Sequence, residues 1–329
     1  MTDYFRPLPQ REARGFRLAG GPRWFERVER IRRGGESEII PAGDVPADML
    51  ERLTAPRTPL CGVPMNRPSI MGILNVTPDS FSDGGQHTGA ELDAVIQMLK
   101  VGAELIDIGG ESTRPGAVYI PPEEEAARVL PVIEALAKHG LGPISVDTRK
   151  AVVAEAALAA GAEMFNDITA LTFDPASMGV ASASGAALCL MHTAGPPETM
   201  QDNPSYNNVL LDVFDYLDER VQACEAACIP RSRIMVDPGI GFGKTHAHNL
   251  ALIRGISLFH GLGCPILLGV SRKGMIGKIA GEPLLERRFA GSIALGLEAL
   301  NQGVQMLRVH DIAKTKQAVA LWAAMNIEG

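Results

Sequence analysis

From about Ile70 to the C-terminus the chain alternates two hydrophobic patterns. The first is a short apolar run that ends in polar or glycine-rich residues. Eight such runs occur: Ile70–Val76, Leu105–Ile108, Ile144–Val146, Glu163–Ile168, Ala187–Met191, Ile234–Val236, Ile266–Val270 and Met306–Val309. Each is nearly continuously apolar, as a strand buried on both faces should be. The second pattern has helical spacing. Leu92, Val95, Ile96 and Leu99 fall at i, i+3, i+4 and i+7, with Thr88 and Glu91 spaced as a capping box at the start. Val152, Val153, Ala156, Ala157 and Ala160 form another stripe, as do Leu210, Val213, Phe214, Leu217 and Val221, and then Phe289, Ile293, Leu297 and Leu300. Pro131 falls inside the pattern around Val129–Leu136, so it either kinks that helix or opens a shorter one. The stretch after Asp174 is mostly Ala, Ser and Gly and marks its helix only weakly.

Eight alternating strand and helix units predict parallel strands joined by right-handed crossovers. An open, doubly wound sheet would bind its ligand at one switch point. Here polar residues follow all eight runs, which suits a closed (β/α)8 barrel of the TIM type, where every strand-to-helix loop reaches one mouth. Residues 67–329 are assigned to that barrel. Residues 1–66 form an N-terminal extension of unassigned role, rich in Pro and Arg and without a clear apolar period. Within it Trp24–Arg33 reads as one short helix.

Composition narrows the function classes. Hydrophobic residues make up 46% and charged residues 21% of the 329, enough for a large core. A net charge of −7 argues against a nucleic-acid partner, which needs a basic face. No apolar run approaches a membrane span. The five cysteines are Cys61, Cys189, Cys224, Cys228 and Cys264, an odd number without a CxxC pair, which points to a reducing, cytoplasmic setting. Cys224 and Cys228 lie four apart on an expected helix and read as small side chains sharing one buried face rather than as metal ligands.

The strand ends carry the candidate chemistry. Asn75, Thr77 and Asp79 follow the first run, and Asp107, Gly109, Gly110, Glu111, Ser112, Thr113 and Arg114 the second. Next come Asp147-Thr148-Arg149, Asn166-Asp167, His192, and Asp237-Pro238-Gly239 with Gly241, Phe242, Gly243 and Lys244. Ser271-Arg272-Lys273 and Arg308, His310 and Asp311 complete the set. Each has a bland reading when taken singly. Asp147, Thr148, Asn166 and Asp167 suit helix caps, Arg308 and Asp311 a rim ion pair, His192 a hydrogen-bonded core histidine, and Gly239–Gly243 a tight turn. Convergence of Asn, Asp, Lys, Arg and His at one mouth is more than caps require. Carboxylates and an amide match the N–H and mixed edges of a flat, nitrogen-rich heterocycle. Arginine suits bidentate phosphate contact, and the Asn75 side-chain oxygen suits a Mg²⁺ shared with a diphosphate.

Seven blocks carry a resemblance: GILNVTPDSFSDGG (Gly72–Gly85), DIGGESTRPGA (Asp107–Ala117), SVDTRK (Ser145–Lys150), NDI (Asn166–Ile168), DPGIGFGKT (Asp237–Thr245), SRK (Ser271–Lys273) and RVHD (Arg308–Asp311). Together, in this order, they resemble the dihydropteroate synthase family over about Ile70 to the end. The resemblance implies that Asp147, Asn166, Asp237 and Lys273 hold a pterin ring. It implies that Asn75, Arg308 and His310 hold the diphosphate, with Asn75 also ligating Mg²⁺. Phe81, Thr113, Arg114, Pro115 and Ser271 would border the p-aminobenzoate site, and Lys273, Asp237 and Asp83 would serve catalysis. Phe81 and Asp83 would lie on one mobile loop and Arg114 and Pro115 on a second. Two stretches depart from the family pattern: His192-Thr193-Ala194-Gly195-Pro196, where relatives often show Met-Gln-Gly after the histidine, and His246-Ala247-His248-Asn249, which lacks an acidic residue common in relatives. The implied reaction joins a pterin methylene diphosphate to p-aminobenzoate in a cytoplasmic homodimer. The rivals are a pterin-dependent methyltransferase, a Schiff-base aldolase using Lys273, and a catalytically silent pterin-binding protein.

Overall fold

The extension does not form the expected helix. In the computed structural model, which describes residues 3–76, 87–112, 114 and 116–327, it forms strands. These are β1 (Asp3–Pro7), β2 (Phe16–Arg17), β3 (Trp24–Phe25), β4 (Arg27–Arg32) and β5 (Glu38–Pro41), followed by helix α1 (Ala47–Thr54). β1, β4 and β5 make an antiparallel sheet, and β2 pairs with β3. Charge order across the strands explains the outcome. Asp3 lies opposite Arg32 and Arg6 opposite Glu29, with contacts of 3.0 and 2.6 Å. Arg30 lies opposite Glu38 and pairs with it. Opposite charges facing each other stabilise a sheet by a few tenths of a kcal/mol to about 1 kcal/mol per pair, and they join residues far apart in sequence, where no local helical period competes.

The eight expected barrel strands are all present. They are β6 (Ser69–Asn75), β7 (Leu105–Gly109), β8 (Ile144–Asp147), β9 (Met164–Asp167), β10 (Ala187–Met191), β11 (Ile234–Asp237), β12 (Leu267–Leu268) and β13 (Met306–Val309). All neighbouring pairs are parallel, in the order β11-β10-β9-β8-β7-β6-β13-β12. A parallel bridge between Val236 and Ile266 joins the two ends of this sheet, so the seventh strand is shorter than the Ile266–Val270 run but closes the ring.

The helices between them are α2 (His87–Lys100), α3 (Pro122–Lys138), α4 (Ala151–Ala159), α5 (Ser177–Ser184), α6 (Val209–Ala226), α7 (His246–Arg254), α8 (Gly274–Ala280), α9 (Phe289–Asn301) and α10 (Ile312–Asn326). α2 begins one residue before the cap expected at Thr88. Pro131 sits inside the 17-residue α3, which excludes the shorter helix; Pro122 and three glutamates occupy the first turn, where the helix dipole favours them. On α4 the buried face is Ala151, Val153, Ala154 and Ala157, and Val152 is exposed. Cys224 is buried on α6, but Cys228 lies beyond that helix, exposed and at φ +63°, so the two share no face. No helix among the described residues is long and apolar enough to cross a membrane.

Strand periodicity organises the barrel interior. Side chains two apart face the same way, and one inward-facing set is Met71, Leu105, Met164, Cys189, Met235, Leu267 and Met306. These pack with Leu60, Val63 and Met65 from the end of the extension, which cover that apolar layer. Two residues further along the same strands come Asp107, Asn166, Asp237 and Arg308. The apolar layer therefore lies below and the polar layer above, at the strands' carboxyl ends.

Candidate active site

The polar layer floors a cavity of about 570 Å³. Arg308 enters it from β13 and is held by two carboxylates: its Nε lies 2.5 Å from Asp107 Oδ2 and its Nη2 2.6 Å from Asp147 Oδ2. Asp107 is fully buried and also accepts from Ser145 Oγ at 2.6 Å and from Asn166 Nδ2 at 3.2 Å. Burial works to lower the Arg308 pKa, but Asp107 and Asp147 outweigh it and hold the guanidinium above its usual range. The bland pairing of Arg308 with Asp311 is not found; Asp311 instead receives Arg272 at 2.8 and 2.9 Å.

Asp147 stands out electrostatically. Its Oδ1 is buried and has no hydrogen-bond partner among the described residues. Burial, opposed by Arg308, pushes this carboxyl up to about 7. A buried acceptor without a donor is costly, and Asp147 lines the cavity. The site therefore offers one carboxylate oxygen to an incoming N–H.

The turn after β11 builds the facing wall. Asp237 Oδ1 accepts from Gly239 N at 2.7 Å. Gly239 takes φ +69°, and a Cβ there would stand 1.9 Å from His192 O; at Gly243, φ +63°, a Cβ would stand 2.6 Å from that of Ala194. Only glycine fits these two positions. The buried Lys244 Nζ ties the turn together, reaching His192 Nδ1 at 2.8 Å and the Gly239 and Phe242 carbonyls at 2.9 Å. His192, the expected end of strand five, thus bonds Lys244, and burial followed by the lysine's charge pulls its pKa down to about 2. His248 is a capping residue of α7, exchanging hydrogen bonds with Thr245, and no metal-holding group of three His, Cys, Asp or Glu occurs among the described residues.

Lys273 precedes α8 and lines the cavity, with Nζ 4.1 Å from the centre of the Phe242 ring. Burial, opposed by Asp237, lowers its pKa to about 8. Burial raises Asp237, against Gly239 N–H and Lys273. At the end of β13 the Ser271 hydroxyl accepts from His310 N at 3.1 Å and lies 2.9 Å from its Nδ1. Burial, then Arg272 and Arg308, lowers His310 to about 4. The imidazole is therefore neutral at pH 7. In the tautomer where Nδ1 accepts the Ser271 proton, Nε2 carries the hydrogen and is a donor.

The structure brings Asn75, Arg114, Asp147, Ser271, Lys273, Arg308 and His310 to the lining of one cavity. Asn166 and Asp237 are set one contact behind it: Asn166 reaches Asp107, and Asp237 Oδ2 lies 3.6 Å from where a Cβ on the lining Gly269 would stand. Asp167 serves the bland role, accepting from Thr169 N, Thr169 Oγ1 and Leu171 N. Phe81, Asp83, Thr113 and Pro115 lie outside the described residues. Two groups carried no assigned role in the sequence reading. Asp107 could have been found from its inward parity with Leu105, and Lys244 from being a lysine directly after three closely spaced glycines. The cavity thus combines the carboxylate of Asp147 with the donors Arg308, Lys273 and Arg114, an arrangement for a ligand that offers both ring N–H groups and an anion.

Comparison with known proteins agrees. The family model described as "Pterin binding enzyme" matches residues 71–310. A dihydropteroate synthase of Neisseria meningitidis serogroup C is 47% identical over 268 residues, covering 80% of this chain and 94% of the relative. Among solved structures, the Xanthomonas albilineans dihydropteroate synthase with 4-aminobenzoic acid is similar with a TM-score of 0.77 at 44% identity, covering 84% of this chain and all of that one. The same enzyme in complex with 7,8-dihydropteroate gives 0.74 at 41% identity, covering 83% of this chain and all of that one.

Proposed function

Because the chain belongs to the dihydropteroate synthases of the pterin-binding enzyme family, we propose a division of labour at its barrel mouth for the family's condensation. The enzyme is a transferase of folate synthesis. It joins a dihydropterin methylene diphosphate to p-aminobenzoate, giving dihydropteroate and diphosphate. In our reading, Asp147, Asn166, Asp237 and Lys273 hold the pterin, and Asn75, Arg308 and His310 hold the diphosphate. Arg114 and Ser271, with Phe81, Thr113 and Pro115, border the amine, and Asp83 acts from the first loop. The observation that carries this reading is that Asp147 lines the cavity and its buried Oδ1 has no partner among the described residues. It is an acceptor waiting for a ring N–H.

The chemical difficulty is charge. As the carbon–oxygen bond to diphosphate breaks, negative charge grows on the leaving group and positive charge on the methylene carbon. Arg308 and the neutral His310 donate to the first, at about 3–4 kcal/mol for a well-placed donor. The carboxylates under the ring favour the second. The aryl amine is neutral at pH 7, so its lone pair forms the carbon–nitrogen bond without a protein base, and its proton leaves afterwards. Mg²⁺, when bound, neutralises diphosphate charge. Asn75 fits it: an exposed amide oxygen lining the same cavity as Arg308 and His310, and Mg²⁺ takes oxygen ligands, many of which substrate phosphate and water would supply. A homodimer is supported by apolar surface on the last two helices, where Phe289, Ile293 and Leu297 are only half-buried and Leu321 and Met325 exposed. A cytoplasmic setting is supported by five free cysteines.

The ring assignment is tested by Asp237→Asn. We expect pterin affinity to fall at least about tenfold, the loss of one hydrogen bond to a charged group. Full affinity in this variant, with the fold intact by circular dichroism, contradicts it.

A further inference from the structure

Beneath the loop that follows β7 lies a buried group of four charges outside the pterin site proper. Glu111 accepts from Arg149 Nε at 3.1 Å and Nη2 at 3.3 Å and lies 3.2 Å from Lys150 Nζ. Lys150 Nζ also meets Glu125 Oε2 at 2.5 Å. Two acids and two bases balance, and all four residues are buried. The charges of the quartet balance without Tyr119, yet Tyr119 lies against it. The Lys150 Nζ is 4.7 Å and the Arg149 guanidinium carbon 5.7 Å from the Tyr119 ring centre, and the same guanidinium is 4.3 Å from the Phe173 ring. Next to Tyr119, Ile120 N donates to Glu111 Oε1 at 3.2 Å. Nearer the loop tip, Gly116 N donates to Pro197 O at 3.0 Å and Ala117 N to Arg114 O at 3.0 Å.

We propose that Tyr119 is a positioning residue: its ring, fastened over Arg149 and Lys150, fixes the far end of the β7 loop and so sets where Arg114 stands at the cavity mouth. The stack faces two cations, which aromatic faces attract. Tyr119 is 44% exposed, so it adds little to the core and can be replaced without unfolding the chain. The turn closed by Ala117 N carries its restraint back to Arg114, which lines the cavity and whose charge is felt at both Lys273 and His310. The inference rests on the reading of Arg114 as part of the amine-side border, and its consequence falls on the second substrate rather than on the pterin.

Two measurements on Tyr119→Leu and Tyr119→Phe test it. In hydrogen exchange, Leu speeds the Gly116 and Ile120 amides about tenfold, equal to about 1.4 kcal/mol, and Phe leaves them as in the parent. In steady-state kinetics, Leu raises KM for p-aminobenzoate about tenfold, with KM for the pterin diphosphate within about twofold and Tm unchanged, and Phe restores the parent value. Unchanged exchange in the Leu variant overturns the proposal. So does a Phe variant as impaired as Leu, or a KM rise shared by both substrates. If the parent itself forms no dihydropteroate, the proposed function fails, while exchange still decides the role of Tyr119.

Discussion

Asp147 and Lys273 set the pH range in which the mouth is ready for substrate. Burial brings the first up to about 7 and the second down to about 8. Asp147 accepts from a ring N–H with full strength only as a carboxylate, and Lys273 donates as a cation only while protonated. Raising pH through about 7 therefore prepares the site, and raising it through about 8 disables it. We expect kcat/KM for the pterin diphosphate, which reports the free enzyme, to peak between these limbs. Lys273→Arg, whose cation does not titrate in this range, should lose the alkaline fall in whatever activity remains. A profile flat across both limbs counts against these roles. The stability effect has its own sign. The native state raises Asp147 from 3.8 to about 7, so it binds a proton the unfolded chain has released in that window. This carboxyl's contribution to stability is present below the window and is lost as pH rises through it.

At the scale of elements, the β11 turn depends on Lys244. Its Nζ reaches three carbonyls, those of His192, Gly239 and Phe242, and the His192 ring nitrogen. Lys244→Met removes that donor from the His192 ring nitrogen and from the Phe242 carbonyl, at about 1–3 kcal/mol each before relaxation, while Gly239 O keeps Phe242 N. A fall in unfolding free energy of about 2–4 kcal/mol in urea is expected, and a variant as stable as the parent means the clamp is idle. The eight barrel strands were legible because each is buried on both faces, and burial on both faces writes a continuous apolar run. The polar strand ends were legible for the opposite reason: Asp147, Lys273 and Arg308 interrupt such runs where a core cannot use them. What could not be read depends on partners distant in sequence. The extension's strands are set by Asp3 facing Arg32 and Arg6 facing Glu29. The exposure of Val152 depends on which face of a largely apolar helix meets its neighbours. That the Asn166 amide donates to Asp107 could not be read either, because residue type alone does not name a partner 59 positions away.

On the scale of the whole molecule, the extension and barrel are laced together. Arg33 pairs with Asp212 and Asp215 at the start of α6, each at 2.6 Å. Tyr4 donates to Asp215 at 2.9 Å, and Ser257 Oγ to Pro7 O at 2.9 Å. Arg57, buried, reaches the His260 carbonyl at 3.0 Å, and Arg23 stacks on Trp322 of α10. These contacts brace the helices behind strands five to eight and leave the carboxyl ends of the strands open. Everything the mouth does then depends on one event, displacement of diphosphate by an aryl amine. The direct measurement is diphosphate release by the purified chain with pterin diphosphate, p-aminobenzoate and Mg²⁺ supplied together and with each omitted in turn. One diphosphate per dihydropteroate formed is expected, and none when either substrate is left out. Release that proceeds equally without p-aminobenzoate, or no release with all components present, contradicts it.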